Sequence, residues 1–161
     1  MRRADPGFTL LELVIVVAIV GILASVALPL SHWTVKRSEE VELQRALRQL
    51  RDAIDSYHQV AVQQLIEVKG GEPGYPLNLQ TLVAGVLLVI VEGDEGGRAR
   101  EPRRIKFLRR IPIDPVTGRA EWGRRCYESD PDARFWCGTD VFDVYSLSRA
   151  DSIEGTPYSN W

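Results

Sequence analysis

Few side chains in this sequence are placed to do chemistry, and Glu12 is the first of them. It stands at the front edge of a run, Leu13 to Leu30, that carries no charge over 18 residues. A charge inside an apolar helix costs about 3 kcal/mol at the centre of a bilayer and less near its surface, so it is usually paired or functional. Cys126 and Cys137 are the only cysteines, with ten residues between them. A disulfide between them is chemically allowed if this part of the chain lies outside the cytoplasm; two free thiols are the alternative. Two cysteines without a histidine cluster argue against a zinc site. A basic run follows an acidic turn: Arg98, Arg100, Arg103, Arg104, Lys106, Arg109 and Arg110 after Glu92 to Gly97. It offers a contact for a partner subunit, an anionic surface or DNA, or else is a solvated loop. Hydrolytic chemistry finds no support. His32 and His58 are isolated, no Gly-x-Ser-x-Gly or metal-ligand spacing occurs, and Asp114 and Asp143 lack a visible partner. The expectation is a protein that is not an enzyme.

The elements that must position these groups begin with the apolar run. As helix, 18 residues span roughly 27 Å, close to the hydrocarbon core of a bilayer. The run exceeds the usual apolar length of a secretory signal, although Ser25 and Ala27 would suit a cleavage site. A cleaved signal or a plain anchor leaves Glu12 without a role. Pro29 should kink the helix, because it lacks a backbone donor and crowds the preceding turn. The helix then continues with one apolar stripe, Leu43, Leu47, Leu50, Ile54, Tyr57, Ala61 and Leu65, and is expected to end near Lys69 at Gly70-Gly71. Asn78 is a good N-cap for a short helix over 79–84, with Gly85 as its stop. Strands are expected over 86–91, 120–127 and 141–146. The last two flank a loop that carries the cysteines, and Trp161 closes a polar tail that could dock back on the domain.

Bulk composition sets limits. A chain of 161 residues holds one membrane segment and one small domain. With 20 basic and 22 acidic residues, nothing in the net charge of −2 marks a nucleic-acid binder. Arg2 and Arg3 flank one end of the apolar run and Lys36 and Arg37 the other, so the basic residues leave the orientation open.

Gly7-Phe8-Thr9-Leu10-Leu11-Glu12, an apolar run and Pro29 near its end together resemble the N-terminus of type IV pilins and type II secretion pseudopilins. The resemblance implies cleavage by a prepilin peptidase after Gly7, N-methylation of the new N-terminus Phe8, and pairing of Glu12 with the amine of a neighbouring subunit. It implies a leader over 1–7, a transmembrane or filament-core helix over 8–30, and a periplasmic domain over 31–161. The fold expected is α+β and pilin-like, a long N-terminal helix packed on a small antiparallel sheet. Orientation follows from the same resemblance: a single pass of the inner membrane with the C-terminal domain in the periplasm.

Later segments narrow the likeness. Tyr75-Pro76, Arg110 to Pro115, Trp122, Phe142 to Ser146 and Asn160-Trp161 look like the major pseudopilin of type II secretion. That implies a structural subunit of a periplasmic filament that drives protein export. Its partners would be further copies, other pseudopilins, the peptidase and the inner-membrane secretion platform. A pilin-like subunit of a DNA-uptake or adhesion filament is the alternative. The subfamily usually binds calcium in the loop after the last strand. Here the candidate ligands Ser146, Ser148, Asp151 and Glu154 include only two carboxylates, with Arg149 among them. Calcium wants six to eight oxygens, so backbone carbonyls and hydroxyls would have to complete the site.

Overall fold

In a computed structural model, described residues are 7, 9–68, 70–89 and 103–161, with the backbone alone for 25–32. The leader residues 1–6, Phe8, Lys69, the end of the strand expected over 86–91, the acidic turn, and Arg98 and Arg100 lie outside them. So do the side chains of Ser25, Ala27, Pro29 and His32.

Helix α1 takes Leu10–Val62, 53 residues. Thr9 starts it: its hydroxyl accepts the Glu12 N–H at 3.3 Å, and its carbonyl accepts the Leu13 N–H at 3.2 Å. This is the Ncap half of a Thr-x-x-Glu capping box. Helix α1 runs through Pro29 without a break. The C-terminus corrects the sequence reading, because α1 stops at Val62 and not near Lys69. Gln64 turns left-handed at φ 57°. Its N–H reaches the Ala61 carbonyl at 3.0 Å, and the Leu65 N–H reaches Val60 at 3.1 Å. These are the paired bonds of a Schellman cap, with glutamine in the place usually given to glycine. Leu65, expected on the stripe, therefore lies beyond the helix. Its carbonyl instead accepts the Val89 N–H at 2.7 Å.

The chain divides into two units, Met1–Ser38 and Glu39–Trp161. In the first, the described side chains from Leu10 to Leu23 are exposed on every face of the helix. The second holds the core. Leu43, Leu47, Leu50 and Ile54 are at most 2% exposed, with Ala46 and Ala53 beside them. They pack in one cluster with Leu79, Leu82, Leu108, Trp122, Val141, Val144 and Tyr158. A stripe repeating every three or four residues places these side chains on one face of a helix.

Helix α2, Leu79–Ala84, has the expected caps. The Asn78 carboxamide oxygen accepts the Thr81 N–H at 3.0 Å, and Gly85 closes the helix at φ 78°. A Cβ at Gly85 would run into the Ile105 carbonyl, so glycine is required there for space as well as conformation. Two antiparallel two-stranded sheets follow. Strand β1 (Val86–Leu87) pairs with β2 (Arg104–Ile105), Val86 opposite Ile105. Strand β3 (Gly123–Arg125) pairs with β4 (Asp143–Tyr145), Gly123 opposite Tyr145. The strands are shorter than the expected segments. The architecture is α+β and pilin-like, a long N-terminal helix followed by small antiparallel sheets.

Candidate functional site

The N-terminal segment is the first candidate. Gly7 and Glu12 are exposed, and Phe8 lies outside the described residues. Glu12 has no ion pair among the described residues. In the first turn of α1 its charge also suits the positive end of the helix dipole. A stretch that exposes Leu10 at 82%, Ile15 at 49% and Leu23 at 65% has to be covered by lipid or by protein. Among the described residues no helix is long and apolar enough to cross a membrane. The part with described side chains ends at Ala24, short of Leu30 where the apolar run ends.

The second candidate is the C-terminal loop. Ser146 is fully buried; its hydroxyl donates to Asp114 Oδ2 at 2.6 Å and accepts the Ser148 N–H at 3.1 Å. The Ser148 hydroxyl accepts the Ala150 N–H at 3.2 Å. Asp151 and Glu154 are exposed. The loop between them is closed by its own bonds, Ser152 N–H to the Thr156 carbonyl and Thr156 N–H to the Ser152 hydroxyl. The side chains of this loop thus supply two exposed carboxylates, with the Ser146 and Ser148 hydroxyls engaged in turns. What holds this loop was missed from the sequence. Glu40 of α1 accepts the Ile153 N–H at 2.6 Å and the Tyr158 hydroxyl at 3.0 Å through one oxygen. Burial pushes the Tyr158 phenol up to about 12, and the bond to Glu40 and its charge act in the same direction.

Asp114 and Asp143, without a visible partner in the sequence, are both satisfied. Asp114 accepts the Val116 and Thr117 N–H groups besides Ser146. Asp143 bridges two arginines, Arg51 at 2.8 Å and Arg125 at 2.9 Å. Arg51 also donates to the carbonyl of Trp161 at 2.8 Å, and Arg125 to that of Ser159 at 2.9 Å. The tail is thus tied to α1, β3 and β4 through two guanidinium groups, each with several donors in a fixed fork. Trp161 stacks edge-on against Tyr158, ring centres 5.1 Å apart.

Cys126 and Cys137 form a disulfide with Cα atoms 6.2 Å apart. Together with Asp140 they are the one trio of metal-ligating residue types brought close together among the described residues. Because both sulfurs are in the bridge, no thiolate remains to bind an ion. The described part of the basic run divides between two places. Arg104 donates to the Ala84 and Gly85 carbonyls at 3.3 and 3.2 Å, at the end of α2. Arg109 and Arg110 line a groove with Arg45 and Arg48 of α1. His58 stacks on Tyr75, ring centres 4.2 Å apart.

A family model described as the prokaryotic N-terminal methylation motif matches residues 2–28. The type IV major fimbrial protein FimA of Dichelobacter nodosus is 43% identical over 56 residues, 35% of this chain and 36% of that protein. The chain thus spans about a third of the length of the fimbrial relatives it matches. Type II secretion system core protein G of Klebsiella michiganensis is 29% identical over 162 residues, 99% of this chain and 95% of that protein. The protein of the same description from Vibrio cholerae is 29% identical over 153 residues, 95% of this chain and 86% of its own. No solved structure matches.

Proposed function

We propose that this chain, which carries an N-terminal methylation motif and is similar along nearly its whole length to type II secretion core protein G, is a structural subunit of a pseudopilus. It is inserted in the inner membrane by a single pass, cut after Gly7 by a prepilin peptidase, methylated on Phe8 and polymerised with its C-terminal domain in the periplasm. The filament serves protein export, working with other pseudopilins and the inner-membrane secretion platform. The chain has no catalytic role in this reading, and Glu40, Arg51 and Arg125 hold its C-terminal loop and tail.

One observation carries the proposal: α1 from Leu10 to Ala24 is apolar and exposed all round, with a lone carboxylate in its first turn. A core of such helices is about as apolar as the bilayer the subunits leave, so extraction costs little hydrophobic free energy. Glu12 would be costly there unless a neighbouring ammonium met it.

The experiment is the intact mass of the protein from its native membrane, followed by the same preparation of Glu12→Ala. The expected wild-type chain starts at methylated Phe8. The variant is expected to be cut normally and to form few filaments. A mature chain starting near Leu28 would mean an ordinary cleaved signal. Normal filaments from Glu12→Ala would remove the pairing role.

A further inference from the structure

The unit that begins at Glu39 carries two grooves of opposite charge. The first, about 670 Å³, runs beside α1 and is lined by Arg45, Arg48, Arg109 and Arg110. All four are exposed, and none has an ion pair among the described residues. Asp52 is the single acid among its lining residues. The second groove, about 870 Å³, opens near the C-terminal end of α1 and is lined by Glu67, Glu72, Glu128 and Asp140 with Tyr57 and Tyr75. Among the described residues no lysine, arginine or histidine lines it. Asp140 is engaged by the Tyr127 N–H and the Thr139 hydroxyl, but the other three carboxylates have no hydrogen bond or ion pair among the described residues.

The aromatic wall is independent of these charges. Tyr75 packs at 5.5 Å from Tyr127 and 5.1 Å from Phe142, and those two rings are 55% and 42% exposed. An acidic groove beside exposed aromatic faces suits guanidinium groups, which gain from both the carboxylates and the rings.

We infer that the arginine groove of one copy docks against the acidic, aromatic groove of the next. This inference rests on the filament reading. The first groove borders α1 from Arg45 to Ser56, and the second touches α1 at Tyr57, the next residue along. A neighbouring copy displaced along the helix axis, on the order of 10 Å at 1.5 Å per residue, brings one groove to the other. The displacement has the same sense for every copy, so the contact is heterologous and extends without closing. Each exposed pair contributes little alone, so specificity comes from several pairs and from the repulsion of wrong registers.

The test uses the full chain in cells that process and assemble it, with sheared filaments as the readout. Arg109→Glu with Arg110→Glu is expected to lower filament yield at least tenfold, and so is Glu67→Arg with Glu72→Arg. All four changes in one chain are expected to restore part of the lost yield, because positions 109 and 110 again meet opposite charges at positions 67 and 72. Cells co-expressing Arg110→Cys and Glu72→Cys chains are expected to give cross-linked dimers under oxidation, a readout that does not depend on tolerance of reversed charges. Wild-type filaments with undiminished yield from both reversals, or without cross-links, would overturn the contact alone. Reversals at Arg109 and Arg110 that abolish duplex DNA binding but leave filaments intact would also overturn it. No filaments from the wild-type chain would take down the filament reading and this contact together.

Discussion

Glu40 is placed to hold the C-terminal loop. One of its oxygens collects the Ile153 N–H and the Tyr158 hydroxyl, bonds to a charged acceptor that contribute about 1.5–3 kcal/mol each. Tyr158 gives this arrangement a pH signature. Its phenol is pushed up to about 12 in the folded state, from the usual value of 10.0. Between those values the unfolded chain releases a proton that the folded chain keeps, so rising pH favours unfolding. The contribution is complete below pH 10 and is lost towards pH 12. Tyr158→Phe is expected to cost about 1.5–3 kcal/mol near neutral pH and to show a shallower alkaline loss than wild type in melts at pH 9 to 11.5. An equal slope in the two proteins would remove Tyr158 as its source. The same melts with calcium or a chelator are expected to coincide, and a shift on adding calcium would reopen the metal reading. None of this network was legible beforehand, because Glu40 and Tyr158 are 118 positions apart and Arg51 and Asp143 are 92 apart.

Among the elements, legibility followed the range of the interaction. Helix α2 was readable to the residue, because an Asn cap and a Gly stop act on backbone groups within a few positions. Asn78→Ala is expected to cost about 1 kcal/mol in denaturant melts, since the Thr81 N–H loses its side-chain acceptor and keeps only the Asn78 backbone carbonyl. The end of α1 was misread. Gly70-Gly71 drew the boundary by propensity, yet the helix turned at Gln64, a residue with no preference for the left-handed region. Tertiary context makes that choice: Leu65 and Ile66 leave the helix to meet Val89 and Leu88. Replacing Gln64 with glycine is expected to stabilise the domain by up to about 1 kcal/mol by relieving that conformation. A destabilised variant would mean that the glutamine side chain has a role of its own.

At the scale of the molecule, the chain carries an uncovered apolar helix and a small domain whose unit begins at Glu39. Small domains bury a limited share of their surface, so covalent staples matter. The Cys126–Cys137 bridge closes a loop at a separation of 11 and is expected to be worth roughly 3 kcal/mol on a chain-entropy basis. Reduction, or Cys126→Ser with Cys137→Ser, should lower the melting temperature accordingly, and unchanged melting would place the loop's stability elsewhere. The sequence alone determined the apolar first half of α1, the core stripe from Leu43 to Ile54 and the caps of α2, because periodicity and capping are written in neighbouring residues. Only the tertiary structure decided which carboxylates were spoken for. Asp143 received two arginines and Asp114 a buried serine, while Glu67, Glu72 and Glu128 have no hydrogen bond or ion pair among the described residues. Those pairings depend on where distant segments meet around the core, and no local pattern records that.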